Sequence, residues 1–493
     1  MSYYIGADLG TSALKLLLVE HTGAILRAVS RTYPLSFPLS GWSEQRPEDW
    51  WDAFVSGIQE LTASIDPVAI KGIGLGGQMH GLVILDHADK VIRPAILWND
   101  GRTQKETDYL NRVIGQTRLS ACTANIAFAG FTAPKLLWLH ENEPASFARI
   151  NKIMLPKDYI VYRLTGVHST DYSDAAGTLL LDVENKRWSS EMLDICHLSE
   201  DMLPQLYESF APVGAVNPTV AEELGLSSQT VVAAGAGDNA AAAVGTNTVG
   251  DGRCNISLGT SGTVFIPSSR FTADKNNALH FFCHADGGYH HMGCILSAAS
   301  CNKWLCEEIF DSRDYAALEA AIPSELIGRS RLYFLPYLMG ERSPINDTDA
   351  TGVFIGLRPD TTRAEMHLAV MEGVAFAIRD NVEVAKQTGL SIPESGICGG
   401  GSRSRLWLNV MASVLNIPLH LPVSEEGPGY GGAMLAMVAA GEYPHVTDCA
   451  ERFYRIKETI LPDPALVALY EDKYQKYQKI YPALKPLYKE IKE

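Results

Sequence analysis

An internal echo constrains this chain more than any other feature. Residues 3–19, YYIGADLGTSALKLLLV, read as two short apolar strands joined at Gly10-Thr11-Ser12. Residues 254–266, CNISLGTSGTVFI, repeat the plan around Gly259-Thr260-Ser261. In both, an apolar strand runs into Leu-Gly-Thr-Ser and returns as another, which is a β-hairpin pattern. A chain of 493 residues is too long for one ordinary core, so the echo predicts two similar halves, each opened by its own hairpin. The rest of the chain alternates strand patterns (72–75, 82–85, 231–234, 332–335) with helix patterns (49–63, 363–387, 432–440). Pro47 fits the first position of the earliest helix. This mixture predicts an α/β fold of two domains, 1–247 and 248–493, with a cleft between them. Tyr470, Tyr474, Tyr477 and Tyr481 recur at steps of four, three and four, a helical face expected to pack on the body.

Composition narrows the function. A formal charge of −16 argues against nucleic acid, whose backbone demands clustered Lys and Arg. It leaves room for ATP held by a local pocket and a metal ion. The N-terminus MSYYIGADLG has no basic n-region, and no apolar run approaches the length of a bilayer. Nine cysteines without a C-x-x-C pair suit free thiols in a reducing cytoplasm, so a cytoplasmic protein with no membrane partner is expected.

Three motifs carry chemistry. Glycine lets backbone N–H groups approach an anion, and the hydroxyls of Thr11, Ser12, Thr260 and Ser261 add short hydrogen bonds. Either turn alone is most simply a hairpin tip, but two copies facing one cleft would clamp the phosphates of ATP. Asp8 precedes the first turn, where a carboxylate suits Mg²⁺ directly or through water. Lys15 is a phosphate candidate, with a solvated or core-edge lysine the plain alternative. The second motif is VVAAGAGDNAAAAVG, 231–245, in which an apolar run ends in small residues before Asp238-Asn239 and an Ala-rich helix. Asp is a favoured helix N-cap, but here its carboxylate would project into the cleft at a strand end as a general base. An ordinary Asp is already ionised at neutral pH, so no unusual pKa is required. The third, GICGGGSRSR at 396–405, lets a flat adenine ring lie against Gly399, Gly400, Gly401 and Ser402, or forms a tight αβ turn.

Other patterns mislead. Residues 72–77 satisfy G-x-G-x-x-G, yet a strand pattern follows where a dinucleotide fold needs a helix. Walker A is absent. HFFCHADGGYHHMGC, 280–294, reads as a hairpin with packed histidines rather than a zinc site.

Together these residues resemble the FGGY carbohydrate kinases of the actin-like ATPase superfamily, from Tyr4 to about Gly441. GFTAPKLLWLHEN (130–142) resembles the family's first signature and GVFIGLRPDTTRAEMHLAVME (352–372) its second; LPYLMGERSP (335–344) is a further family-like block. Within the family, GQMHG (77–81), RPAILWNDGR (93–102), GWSEQRPEDWW (41–51), LPKDY (155–159) and YSDAAGT (172–178) are most similar to the branch acting on D-xylulose. The resemblance implies two ribonuclease H-like domains, ATP and Mg²⁺ as donor and cofactor, and a homodimer. It puts Met79, His80 and Asn239 on the sugar, with Trp98, Asn99 and Asp100 in support of the pocket and Asp100 also expected to read a sugar hydroxyl. It makes Asp238 the base, Asp8 the metal residue, Gly10–Ser12 and Gly259–Ser261 the phosphate turns, and Gly399–Ser402 the adenosine contact. EEGPGYGGAMLA, 425–436, departs from the more Ala-rich turn expected there.

Overall fold

The computed structural model describes residues 1–424 and 426–492. The first sheet is built on β1 (Tyr3–Leu9), which pairs antiparallel with β2 (Ala13–Glu20), and β2 with β3 (Ile25–Thr32). On its other side β1 runs parallel to β4 (Ile70–Gly77). β5 (Pro212–Ala215) forms the edge, β6 (Val231–Ala233) lies between it and β4, and the short β7 (Ala236–Gly237) also pairs with β4. The second sheet repeats this scheme. Its central β8 (Asn255–Leu258) pairs antiparallel with β9 (Gly262–Ser268), beyond which lie β10 (His280–Cys283) at the edge and β11 (Tyr289–Ile295) next to β9. Parallel to β8 runs β12 (Ser395–Cys398), followed by β13 (Leu419–Pro422) and β14 (Ile456–Ile460). The two hairpins of the sequence echo therefore sit at corresponding places in two corresponding sheets.

Helices complete the match. α1 (Pro47–Leu61) connects β3 to β4. Its Pro47 stands at the first turn with Glu48 and Asp49, a favourable start for a helix dipole, and Trp50, Phe54, Ile58 and Leu61 form the buried face. Between β4 and β5 the chain inserts a cap carrying α2 (Thr132–Asn142), α3 (Pro156–Thr165) and α4 (Tyr172–Ala176). α5 (Asp238–Gly245) leaves the end of β7. In the second half α6 (Arg363–Gln387) precedes β12, α7 (Pro428–Ala439) follows β13, and α8 (Pro464–Tyr477) and α9 (Ile480–Lys492) end the chain. Tyr470, Tyr474 and Tyr477 are buried around Phe376 of α6, with ring centroids 6.1, 5.8 and 5.0 Å away. Tyr481 falls on α9 because α8 ends at Gln478.

The cores ignore the boundary between the halves. α7 packs against β1, β4 and α5 of the first half. The approach is backbone to backbone: a methyl at Gly6 would overlap the Gly429 carbonyl, one at Gly74 that of Gly432, and one at Gly431 that of Ala241. Hence the glycines of 72–77 are a landing surface for a helix, and the glycines of 427–432 are its counterpart. That contact accounts for the departure from an Ala-rich turn; Glu425 itself lies outside the described residues. In the opposite sense, Phe281, Phe282 and Met292 of the β10–β11 hairpin enter the core of the cap beside Leu82, Phe131 and Ala176. The Asn125 amide brackets this crossing, donating to Phe281 O (2.8 Å) and accepting from Phe281 N (3.1 Å). Among the described residues no helix is long and apolar enough to cross a membrane.

Candidate active site

Asp238 owes its position to a break in the strand. Gly235, at φ +78°, interrupts β6 and β7, and a side chain there would lie 2.5 Å from Leu75 O. Such a bulge bends the strand next to its end and re-aims the residues that follow. Gly237, which has no side chain to cap with, becomes the helix cap and Asp238 the first helical residue. The carboxylate meets the helix start through one oxygen alone. Its Oδ1 accepts from Asn239 N (2.7 Å) and Asn239 Nδ2 (2.9 Å), and among the described residues no donor reaches Oδ2. Burial, then the charge of Asp8, push its pKa up to about 7. An ordinary carboxylate pKa, as expected from sequence, does not survive this desolvation. Asp8 is itself raised to about 6, because burial outweighs the nearby Lys15 while Glu426 adds repulsion.

A buried polar floor supports the strand end. Lys157 lies 2.6 Å from Asp158, 2.9 Å from Asp171 and 3.6 Å from Asp174, all out of contact with solvent. Asp171 Oδ2 accepts from Ser173 Oγ (2.5 Å), whose oxygen in turn accepts from Gly237 N (3.2 Å). This chain fixes the residue immediately before Asp238.

Met79 adjoins Asn239, the residue after this acid, and His80 follows Met79 in the chain. Met79 is buried, with its sulfur 3.9 Å from Asn239 Nδ2. His80 Nδ1 donates to Gly177 O (2.6 Å), and the ring stacks on Phe131 at 4.5 Å. Burial, helped by Lys135, lowers its pKa to about 3. The imidazole is therefore neutral, and with its proton on Nδ1, Nε2 is left as an acceptor. Gly177 explains part of the YSDAAGT segment, since a side chain there would fall 2.7 Å from His80 Cε1 and 2.9 Å from Met79 Cε.

The Gly10-Thr11-Ser12 turn is held from below. Gly10 N donates to Ala13 O (3.1 Å), Gln45 Nε2 to Thr11 O (2.7 Å), and the Tyr33 hydroxyl to Gly10 O. Thr11 Oγ1 donates to Gln78 Oε1 (3.1 Å) and accepts from Trp98 Nε1 (2.9 Å). Trp98 is thereby tied to the Gly10-Thr11-Ser12 turn through its indole. Ser12 stays exposed. Lys15 is already neutralised by Glu426 at 2.5 Å, a partner 411 positions away. In the second turn Gly259 O and Thr260 O accept from Ala299 N and Ala298 N (both 2.9 Å), leaving the Thr260 and Ser261 side chains exposed.

Because β8 and β12 are neighbours, Gly399–Ser402 lies beside the second turn. Gly399, at φ +90°, is held by Ser402 Oγ (2.7 Å). A side chain at Gly400 would meet nothing within 4 Å, so an open shelf faces outward there, while Gly401 packs on Leu258 and Trp407.

Asp100 is saturated. It accepts from Ser43 N (2.6 Å), Arg102 N (2.9 Å), Arg102 Nε (2.8 Å) and Arg102 Nη2 (2.7 Å), so it braces the pocket rather than presenting free oxygens to a ligand. Exposed Asn99 and Trp98 share with it a cavity of about 650 Å³, whose other wall includes Phe128, Glu341 and Arg342. Arg342 comes from the second half and places its guanidinium 5.1 Å from the Phe128 ring of the first. Among the described residues no carboxylate lies within ion-pair distance of it. The LPYLMGERSP block marked this segment in the sequence, but nothing in the pattern singled out Arg342, Gln78, Phe131 or Gly177.

Two family models cover nearly the whole chain: the FGGY family of carbohydrate kinases, N-terminal domain, at residues 3–245, and C-terminal domain, at 254–440. The chain belongs to the FGGY family of carbohydrate kinases, with its two-domain, actin-like α/β fold, and is a sugar kinase. Among curated relatives, the xylulose kinase of Escherichia coli (strain K12) is 40% identical over 486 residues, covering 98% of this chain and 99% of the relative. The xylulose kinase of Bacillus subtilis (strain 168) is 36% identical over 490 residues, covering 99% and 98%. Among solved structures, a xyloylose kinase from Brucella ovis superposes with a TM-score of 0.94 at 42% identity, covering 98% of this chain and 100% of that one.

Proposed function

We propose that the chain transfers the γ-phosphoryl group of ATP to the terminal hydroxyl of D-xylulose, giving D-xylulose 5-phosphate and ADP. The observation that carries the chemistry is Asp238: a strand-end carboxylate, raised to about 7, with Oδ2 bonded to no donor among the described residues, Asn239 on its Oδ1 and Met79 against Asn239. Relatives named xylulose kinases over nearly the whole length support the choice of sugar.

In this reading the sugar lies along His80 and Asn239, with neutral His80 accepting from one hydroxyl through Nε2 and Asn239 reading another. Asp238 Oδ2 removes the proton of the attacking hydroxyl as its oxygen bonds to the γ-phosphorus. The bond from that phosphorus to the β–γ bridging oxygen breaks, and ADP leaves. Gly10–Ser12 and Gly259–Ser261 hold the phosphates from opposite halves, and Gly399–Ser402 supports the adenosine. The residues present fit Mg²⁺: Asp8 is a half-buried carboxylate whose neighbour Lys15 is engaged elsewhere, and this cation is commonly held by one or two carboxylates plus substrate phosphates. When bound it would neutralise phosphate charge. Closing the cleft excludes water, so transfer to the sugar competes with hydrolysis.

The test is ADP release from MgATP across a panel of ketoses and polyols, with wild type and Asp238→Ala side by side. Stimulation by D-xylulose that disappears in the variant, while ATP still binds, is the expected result. Stimulation by another polyol moves the substrate and keeps the mechanism. Sugar-independent turnover retained by the variant overturns the role of Asp238.

A further inference from the structure

The first family signature contains a lysine that the mechanism above does not use. Lys135 on α2 is completely buried, and among the described residues it has no carboxylate within ion-pair distance. Its Nζ donates instead to two main-chain carbonyls, His80 O at 2.7 Å and Gly130 O at 2.7 Å. Thr132 Oγ1 adds a second hydrogen bond to His80 O at 3.2 Å.

Both carbonyls belong to segments that need holding. His80 lies at φ +67°, a left-handed conformation that costs a non-glycine residue on the order of 1 kcal/mol and persists only where its surroundings over-determine it. Gly130 lies against the main chain of Trp98, so closely that a side chain at 130 would overlap Trp98 O. One amino group therefore gathers the 77–81, 98–100 and 130–132 segments. Burial pushes the Lys135 amine well below its ordinary range, with Asp100 opposing the shift. Even a neutral amine keeps two N–H donors, which matches the two carbonyls it serves.

We propose that Lys135 is a positioning residue for the sugar site, anchoring the left-handed His80 main chain so that the imidazole presents Nε2 to the substrate. The ring is then held at three points: Lys135 and Thr132 on the carbonyl, Gly177 O on Nδ1, and the Phe131 face. This inference rests on the reading of His80 as a sugar ligand. A lysine serving the core alone would affect both substrates through stability, whereas a lysine acting through His80 affects the sugar.

The experiment is a double-mutant cycle of Lys135→Met and His80→Ala, read as KM for D-xylulose, KM for MgATP, kcat and Tm. Lys135→Met is expected to raise the sugar KM roughly ten- to hundred-fold, as displacement of a substrate-orienting group does, with the MgATP KM within about twofold. The double variant is expected to be no worse than about twofold beyond His80→Ala, because both remove the same contact. Additive losses, or equal rises in both KM values, overturn the proposal. If Lys135→Met does not fold, Thr132→Val, which deletes the other donor to the same carbonyl, should raise the sugar KM alone by roughly two- to fivefold; no change there overturns it. The parent reading fails separately: a normal sugar KM in His80→Ala removes His80 from the sugar whatever Lys135 does.

Discussion

At the scale of single residues, the site is governed by two carboxylates that repel one another. Asp238 and Asp8 are both raised, to about 7 and about 6, with burial the leading cause in each. A base must be ionised to act, so kcat/KM for the sugar should fall along an acid limb with an apparent pKa near 7. Asp238→Asn should remove that limb along with roughly 10²–10⁴ of the rate. The same shift has a thermodynamic face. The folded protein holds these protons more tightly than the unfolded chain, so the stability they contribute is present at low pH and is lost as pH rises through about 6 and about 7. Asp238→Asn is therefore expected to raise Tm at about pH 8, by the equivalent of roughly 1–2 kcal/mol, and to change it little at about pH 4.5. Thermal melts at the two pH values check this; equal shifts at both would refute it. The sequence pattern of strand, small residues, acid and helix made Asp238 legible. Its pKa was not, because that depends first on burial and then on Asp8, both of which only folding supplies. Lys135 left no trace either, since a buried lysine bonded to carbonyls looks in sequence like any helical lysine. Lys15 read as a phosphate candidate or as a solvated or core-edge lysine, because its partner Glu426 lies so far along the chain.

At the scale of elements, the glycines divide by what lies opposite them. Gly6 and Gly74 face carbonyls of α7, where an added methyl has nowhere to go. Gly74→Ala should accordingly lower stability by about 3 kcal/mol or more, or prevent folding, measured by denaturant unfolding. Gly400 faces open space, so Gly400→Ala should leave stability within about 0.5 kcal/mol while weakening ATP binding at the shelf, measured by calorimetry. A Gly400→Ala protein with unchanged ATP affinity would take the adenosine away from that turn. Elements with a periodic signal were read well: the helix at Arg363–Gln387 has the bounds its pattern predicts, and the β4 region is a strand rather than the start of a dinucleotide fold. The start of α7 was read late, at 432 instead of Pro428, because Gly-Pro-Gly-Tyr-Gly-Gly suits a turn by local propensity and becomes helical only through its contacts with β1, β4 and α5.

At the scale of the whole molecule, the two halves are copies in topology but not in their cores. α7 is covalently part of the second half and packs in the first, and the β10–β11 hairpin fills the core of the cap. A fragment of residues 1–247 would lack both and expose the apolar surfaces they cover. It should aggregate or behave as a partly folded state, whereas the full chain should lose its near-UV and far-UV circular dichroism together; a fragment with cooperative melting would contradict this. The duplication was legible from the Leu-Gly-Thr-Ser echo. The exchange of elements between halves was not, because packing partners leave no periodicity in a single sequence. It matters for chemistry at corresponding helix starts, after β7 and after β13: the first carries Asp238, the second Pro428. A proline has neither a titratable group nor an N–H, so the later position offers no proton donor or acceptor from its side chain or its nitrogen. The two-fold likeness of the sheets therefore stops at these helix starts, where one copy offers an ionisable oxygen and the other only an aliphatic ring.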